Sequence, residues 1–435
     1  MKKICVIGLG YIGLPTAAML ASCGYEIVGA DTNQKIVEIL NRGEPHLSEP
    51  DLKEMVFNQV QAGRLRGSSV PEEAEAFIIC VPTPLTRDKK ADLSYVEASA
   101  LAIAPYLRPG NLVILESTVG PRTTVDMLVP ILAESGLKIG EEVFVAHCPE
   151  RVLPGKIIQE LVENNRVVGG INKKSTQMAA EIYARFVKGE IYLTDATTAE
   201  MIKLMENTFR DVNIALANEF ARICAQLGIN AWEAISIANQ HPRVNIHKPG
   251  PGVGGHCLAV DPWFIVEKVP EEARLIAASR RINDGMPDYV VDLLKKITAP
   301  VKDPKLALLG VTYKGNVSDV RESPALKVME LLREKNFNFS VYDPLVQNLD
   351  GYTLSSLTSC LRGADCLVVL TAHDEFKKIA PPKVGLLMRN KLVLDTHNIL
   401  EAALWEEAGF NVNQVGRGLP QENYLVRAAY GNTNR

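Results

Sequence analysis

The chain lacks the residue spacings that hold metal ions. Its eight cysteines, at positions 5, 23, 80, 148, 224, 257, 360 and 366, form no C-x-x-C, and its seven histidines form no H-x-x-x-H pair. No metal is expected from such a set. Eight cysteines in 435 residues are also too few for a disulfide framework, so reduced thiols are expected. No apolar run reaches the roughly 18 residues that would suggest a membrane span. Neither sign of charge dominates; the net charge of −4 offers no nucleic-acid surface. An apolar strand from Lys3 leaves no room for a signal peptide, and a cytoplasmic protein is expected. Low-complexity segments and short repeats are missing as well. The length suggests about two or three domains, and 47% hydrophobic with 23% charged residues is a globular composition.

Glycine and proline are not scarce, but they are concentrated. His247-Lys248-Pro249-Gly250-Pro251-Gly252-Val253-Gly254-Gly255-His256-Cys257-Leu258-Ala259-Val260-Asp261-Pro262 fits neither a helix nor an alternating strand. It must be an irregular loop, with Cys257 between a histidine and a carboxylate four residues on. One reading is a small thiol buried in a tight turn. The other is a nucleophile.

A second concentration lies near the start: Lys3-Ile4-Cys5-Val6-Ile7-Gly8-Leu9-Gly10-Tyr11-Ile12-Gly13-Leu14-Pro15. A short apolar strand runs into G-x-G-x-x-G, and a helix is expected over 12–21. Gly8 permits a tight turn, Gly10 lets a pyrophosphate approach the backbone, and Gly13 lets helix and strand pack closely. The helix N-terminus then offers N–H groups to the phosphates. The next strand, 26–30, is followed by Asp31, 23 residues beyond Gly8 (31 − 8). That is near the spacing of a ribose-binding acid. No arginine stands beside it to hold a 2′-phosphate, so NAD is expected rather than NADP.

Strand and helix signals alternate through the first 190 residues or so, with strands expected at 77–81, 112–115, 143–146, 167–168 and 191–193. This predicts a mostly parallel, doubly wound sheet whose ligands lie beyond the strands' carboxyl ends. Val81-Pro82-Thr83-Pro84, Glu116-Ser117-Thr118 and His147-Cys148-Pro149-Glu150 fall at such ends. From Thr197 to Leu227 there is no Pro or Gly, and Met201, Met205, Phe209, Val212, Leu216, Phe220, Ile223 and Leu227 recur at helical steps. A further helical stretch covers 271–297. A second βα pattern begins at Lys305, with strands at 306–310, 339–342, 367–370 and 392–394 and a helix over 321–333. It has no G-x-G-x-x-G, and Lys314 lies in the loop after its first strand, which suits a different phosphate-bearing nucleotide. The expected fold class is therefore α/β: two Rossmann-like doubly wound domains joined by a helical middle domain with a long central helix. The expected domains are 1–194 for NAD, 195–298 for the helical middle and dimerisation, and 299–435 for the second nucleotide. The last five residues are expected to fray.

Several residues could carry chemistry. Glu200, Lys203, Asn207 and Arg210 share one face of the long helix. They form either a solvated polar face or, for Lys203 and Asn207, an oxyanion-stabilising pair near Cys257. A thiol nucleophile is useful when an aldehyde must become an acid. It adds to the carbonyl, hydride leaves, and water cleaves the thioester. Asp261 and Glu150 are the candidate carboxylates for the proton transfers. Asp261-Pro262 also suits a turn or helix start, and Glu150-Arg151 could be a surface ion pair.

The blocks GLGYIGLP, CVPTP, ESTVGP, CPERVLPG, TAEMIKLMENTFRDVNIALANE, HPRVNIHKPGPGVGGHCLAVDPWFIV and SDVRESPA strongly resemble the UDP-glucose/GDP-mannose dehydrogenase family, in family order from residue 4 to about 330. The resemblance implies an NAD-dependent four-electron oxidation of C6 of a nucleotide sugar to a carboxylate, supplying surface polysaccharide precursors. It implies Cys257 as nucleophile, Lys203 as oxyanion stabiliser, and Asn207 and Asp261 bracketing the reacting centre. Thr118 and Asp261 would hold a catalytic water, and Glu150 would assist thioester hydrolysis. Cofactor contacts are implied for Gly8, Gly10, Tyr11, Ile12, Gly13, Asp31, Thr83, Thr118 and Arg321. Substrate contacts are implied for Glu150, Arg151, Lys203, Asn207, Arg243, Gly254, His256 and Lys314, with Arg243 acting across a homodimer interface formed by the middle domain. GGHCLAVD, where many members read GGSCFPKD, and PERVLPG, where many read PEFLREG, resemble the branch that takes a UDP-linked N-acetylhexosamine. HPRVN and AVDPWFIV resemble members that take the manno epimer; UDP-N-acetylglucosamine and UDP-glucose stay as alternatives. A two-electron hydroxyacid-type dehydrogenase and a non-catalytic NAD-binding protein are the rival readings. The first predicts one NADH per substrate; the second predicts gaps in the constellation, and none are present.

Overall fold

Alternating burial organises the first sheet. The computed structural model describes residues 1–418, so the expected fraying of the last five residues lies outside the described part. Strands β1 (Lys3–Ile7), β2 (Glu26–Ala30), β3 (Leu65–Ser68), β4 (Ala76–Ile79), β5 (Leu112–Leu115), β6 (Phe144–His147), β7 (Arg166–Gly170) and β8 (Ile191–Asp195) form one sheet. Their spatial order is β3-β2-β1-β4-β5-β6-β7-β8. Ile4, Val6, Ile78 and Ile114 pack on one face, while Cys5, Ile7, Phe77, Ile79 and Val113 pack on the other. Both faces are covered, as parallel strands joined by helical crossovers require. The pairing is parallel except between β6 and β7, which run antiparallel. The chain order reverses between β1 and β4, the switch point at which such sheets bind ligands. The first helix spans Gly13–Ser22, one residue later than its sequence pattern predicts.

The chain divides into two compact units, Met1–Glu206 with Trp263–Glu272, and Asn207–Pro262 with the remainder. The division falls inside the long helix Ala196–Leu227. Between residues 196 and 298 there are helices only: the long helix, Ala231–Ala238, Asp261–Lys268, Arg274–Asp284 and Met286–Thr298. The expected single stretch over 271–297 is thus two helices. Pro287, in the first turn of the second, has no N–H to continue the ladder across Gly285.

The second unit contains a five-stranded parallel sheet of β9 (Lys305–Leu309), β10 (Asn338–Tyr342), β11 (Cys366–Val369), β12 (Leu392–Asp395) and β13 (Asn411–Gln414), ordered β10-β9-β11-β12-β13. Leu306 and Leu308 face one core; Ala307 and Leu309 face the other. This is again a doubly wound order, with its switch point between β9 and β11. The helix expected from Arg321 begins at Pro324 instead. Ser323 caps it by accepting from Ala325 N, and proline suits the first helical position. Among the described residues, no helix is long and apolar enough to cross a membrane.

The long helix turns its faces opposite to a simple amphipathic reading. Its apolar stripe is largely outside: Met205, Phe209, Leu216, Phe220, Ile223 and Leu227 are all exposed, Phe209 at 63% and Leu227 at 67%. Its buried face is small and polar, with Glu200, Asn207, Asp211 and Asn218 all at 4% exposure or less.

Candidate active site

The glycine turn after β1 is shaped by close contacts. Gly8 has φ +88°, and a Cβ there would stand 2.8 Å from the Cys80 carbonyl oxygen. A Cβ on Gly13 would stand 1.8 Å from the Gly8 carbonyl oxygen, so only glycine lets the helix approach the turn. A Cβ on Gly10 would meet nothing within 4 Å. That open side is where a diphosphate can meet the helix N-terminus. Leu9 N donates to Asp31 Oδ2 at 2.9 Å, and Asn33 N donates to Asp31 Oδ1 at 2.8 Å. The acid that ends β2 is therefore oriented by the turn itself. Tyr11 is exposed and Ile12 half-buried at the helix entry. These residues fit a dinucleotide.

Thr83 and Thr118 lie just past β4 and β5, at the same carboxyl edge. Thr83 Oγ1 donates to the Thr118 carbonyl at 2.6 Å, and Lys203 Nζ donates to Thr118 Oγ1. The first turns of the long helix thus bring a cation to the threonine beyond β5. Burial, with the Lys203 charge adding to it, lowers the His147 pKa to about 3, so this imidazole is neutral.

Glu150 is not a surface partner of Arg151. It is buried, its Oε1 accepts from Arg151 N at 2.7 Å, and its Oε2 lies 2.7 Å from Arg166 Nη2. That last contact is an ion pair outside hydrogen-bond geometry. The same Nη2 donates to Glu116 Oε1 at 2.7 Å, and Arg166 Nε lies 3.1 Å from Cys148 Sγ. Tyr183 OH and Cys80 Sγ also donate to Glu116, at 2.7 and 3.1 Å. Burial pushes the Glu116 carboxyl up against the pull of Arg166. Two carboxylates facing one guanidinium hold one negative charge more than it can neutralise, which adds to that rise. Sequence reasoning missed Arg166 and Tyr183. A charge opening the apolar run Arg166-Val167-Val168 was the available signal. Arg151 itself donates to Glu206 Oε1 at 2.6 Å and to the Asn165 carbonyl.

In the second unit, Cys257 is exposed and Cys360 and Cys366 are buried; Cys5, Cys80 and Cys148 are buried in the first. Burial pushes the thiols of Cys5, Cys148, Cys360 and Cys366 up to about 11 or 12. The Cys257 carbonyl accepts from Asp261 N at 2.8 Å and from Val260 N at 3.1 Å. Those bonds lead into the helix that Asp261 begins. Asp261 is 2% exposed; its Oδ2 accepts from Asn207 Nδ2, and Asn207 Oδ1 accepts from Arg210 Nη2. On the polar face of the long helix Glu200 and Asn207 are therefore buried, whereas Lys203 is half-buried and Arg210 exposed.

Glycine is required upstream of the thiol. A Cβ on Gly254 would stand 2.3 Å from the Glu322 carbonyl oxygen, and one on Gly255 2.9 Å from the Tyr313 ring. His256 is lowered by partial burial and by Arg321, so it is neutral near pH 7. Arg321 pairs with Asp319 at 2.6 Å. Lys314 and Arg243 are exposed, the first after β9 and the second on the turn beyond helix Ala231–Ala238.

The NAD binding domain of the UDP-glucose/GDP-mannose dehydrogenase family matches residues 2–187, its central domain 197–285, and its UDP binding domain 307–402. The chain belongs to this family. It is a nucleotide-sugar dehydrogenase with NAD as its cofactor and a UDP-binding C-terminal sheet. A UDP-N-acetyl-D-mannosamine dehydrogenase of Methanococcus maripaludis (strain C7) is 52% identical, covering 96% of this chain and 98% of that protein. An NDP-N-acetyl-D-galactosaminuronic acid dehydrogenase of Ralstonia solanacearum is 47% identical, covering 92% and 97%. The solved UDP-D-ManNAc dehydrogenase of Pyrococcus horikoshii superposes with a TM-score of 0.89 at 44% identity, covering 96% of this chain and 99% of that one.

Proposed function

We propose that this enzyme oxidises C6 of UDP-N-acetyl-D-mannosamine to the carboxylate, through a covalent Cys257 intermediate. The observation that carries the chemistry is the setting of Cys257. It is an exposed thiol on a glycine-rich loop, four residues before a buried carboxylate that is held by Asn207. An alcohol–carbonyl interconversion alone needs no such thiol; aldehyde-to-acid chemistry does.

NAD, when bound, accepts one hydride in each of the two oxidations, and the residues that would hold it are Gly8, Gly10, Tyr11, Ile12, Gly13, Asp31, Thr83, Thr118 and Arg321. Oxidation of the C6 alcohol releases the hydroxyl proton and gives the aldehyde. The Cys257 thiolate then forms a C–S bond to C6, leaving an oxyanion. The Lys203 ammonium and the Asn207 amide stabilise that oxyanion. Loss of the C6 hydride re-forms the C=O bond and leaves a thioester on Cys257. Water, with Thr118, Asp261 and Glu150 as its positioning and proton-accepting groups, adds to the carbonyl. The C–S bond breaks, and the thiolate and the carboxylate are released. Arg151, Arg243, Gly254, His256 and Lys314 are proposed to bind the sugar nucleotide. The domains proposed for these tasks are 1–194, 195–298 and 299–435. The uronate product suits surface polysaccharide assembly.

Relatives named for N-acetylmannosamine, at 52% identity over nearly the full length, support the manno substrate. The relative named for N-acetylgalactosaminuronic acid, at 47%, supports a second reading with the galacto epimer. A panel of UDP-linked N-acetylmannosamine, N-acetylgalactosamine, N-acetylglucosamine and glucose separates them by kcat/KM. The manno sugar is expected to be used best. Preference for any other would replace it.

Homodimer formation is also proposed. The exposed row from Met205 to Leu227 is an apolar face on one continuous helix, and a two-fold copy presents the same row to cover it. Arg243 would then reach the sugar nucleotide of the partner subunit, its planar fork suiting phosphate.

A further inference from the structure

The loop that carries Cys257 should be loose. Four glycines lie between Pro249 and Cys257, and glycine has the widest backbone freedom of any residue. A nucleophile, however, must be held to within about half an ångström of its productive position. One buried side-chain network reaches this loop at both ends.

Arg280 is 1% exposed, and it is among the largest fully buried side chains. Its Nη1 donates to Asp211 Oδ1 at 2.5 Å and to the Leu258 carbonyl at 3.2 Å. Its Nη2 donates to Asp284 Oδ1. Leu258 follows Cys257 directly, so the guanidinium holds the peptide next to the thiol. Asn283 Nδ2 donates to Asp211 Oδ1 at 2.8 Å and to the Asp211 carbonyl at 3.0 Å. Asn218 Nδ2 in turn donates to Asn283 Oδ1 at 2.9 Å, and Asn218 Oδ1 accepts from Gly250 N at 2.8 Å. The loop is therefore tied at Gly250 and at Leu258 to one row of the long helix. Asp211 and Asn218, seven residues apart, share that row.

Stability alone gives little reason for such a cluster. A buried ion pair commonly adds no more than well-packed apolar side chains of the same volume, because desolvation offsets the attraction. What apolar side chains could not do is hold a backbone carbonyl and a backbone N–H at fixed points. We infer that Arg280, anchored by Asp211 and coupled through Asn283 to Asn218, is a positioning residue that fixes the Cys257 loop. The inference rests on the proposal that Cys257 is the nucleophile.

Arg280→Lys tests it in the full-length enzyme with NAD and UDP-N-acetylmannosamine. Lysine keeps a charge for Asp211 but loses the planar fork that serves Asp211, Leu258 and Asp284 together. With the fold intact by circular dichroism, kcat is expected to fall about 10–100-fold, because a small misplacement of a reacting group is that costly. KM for both substrates should stay within about twofold, since a lost positioning contact acts on the transition state. The rate of iodoacetamide alkylation of Cys257 should change, and Asn218→Ala should change it too by releasing the Gly250 end. Should Arg280→Lys not fold, the double variant Arg280→Met with Asp211→Asn, which strands no buried charge because Asp284 is exposed, carries the same measurements. Wild-type kcat and alkylation rate in a folded variant would overturn the inference, as would a loss confined to KM. Cys257→Ala, assayed alongside, separates the two ideas. If it turns over normally, the nucleophile proposal fails; if it is inactive while the Arg280 variants behave as wild type, only the positioning role fails.

Discussion

The backbone N–H of Leu9 and the carboxylate of Asp31 are joined at 2.9 Å, so the acid that ends β2 also holds the glycine turn that ends β1. The second sheet repeats the device. Val311 N donates to Asp343 Oδ2 at 2.8 Å, after Gly310 at φ +92°. There the acid is 6% exposed and also lies 3.2 Å from His373 Nε2, whereas Asp31 is half-buried. The first acid is thus accessible to a ribose, and the second is absorbed in the fold. NAD is expected to be strongly preferred over NADP. Asp31→Ala should lower kcat/KM for NAD about 10-fold or more, the scale of a lost hydrogen bond to a charged group. Steady-state kinetics with both cofactors checks this; an unchanged preference would remove Asp31 from the cofactor site.

Cysteine reactivity follows exposure. At pH 8, iodoacetamide should modify Cys257 before any of Cys5, Cys80, Cys148, Cys360 and Cys366, because burial keeps those thiols protonated. Peptide mass mapping against time gives the order. Earlier labelling of a buried thiol would contradict the placement of the loop.

Glu200 gives the first unit a pH dependence. Its carboxylate accepts from Arg122 N at 2.6 Å, Thr124 N at 2.7 Å and Thr124 Oγ1 at 2.6 Å, yet burial raises its pKa from 4.5 to about 7. Between those two values the folded chain keeps a proton that the unfolded chain has lost. Stability from this group therefore falls as pH rises from about 4.5 to about 7, and levels off above. Glu200→Gln cannot titrate. Melting temperatures of wild type and variant, compared from pH 5 to 8, should show the wild type losing ground with rising pH. A constant difference would mean that Glu200 keeps an ordinary pKa.

The exposed row on the long helix predicts assembly. Light scattering should give twice the chain's 47.6 kDa. Phe209→Glu with Phe220→Glu should give monomers, because paired charges cannot be buried across a two-fold axis. If Arg243 serves the partner's site, mixing inactive Cys257→Ala and Arg243→Ala subunits should restore activity. Wild-type protein at monomer mass would contradict the assembly.

The sequence made some elements legible and hid others for physical reasons. Central strands such as Leu112–Leu115 are buried on both faces and read as continuous apolar runs. The edge strands Leu65–Ser68 and Asn411–Gln414 pair on one side only and carry no such run. The glycine turn and the Cys257 loop were legible because glycine and proline spacing reports backbone geometry directly. The exposed stripe was harder. Phe209 and Phe220 at helical spacing look like core, and only the packing shows that Asn207, Asp211 and Asn218 point inward instead. Arg280 was not legible and Arg166 only as a charge opening an apolar run, since a buried arginine is recognised by partners far along the chain: Glu116 and Glu150 for Arg166, Asp211 for Arg280.

A four-electron oxidation on one enzyme fixes the reaction's stoichiometry. The most direct measurement is NADH formed per molecule of UDP-N-acetylmannosamine consumed, read at 340 nm with limiting sugar and excess NAD, with the product identified by mass. Each oxidation removes one hydride, and two are needed to take an alcohol to a carboxylate. Two NADH per sugar, a UDP-linked uronate and no accumulating aldehyde are expected. One NADH per sugar with a UDP-linked aldehyde as the end product would contradict the four-electron oxidation.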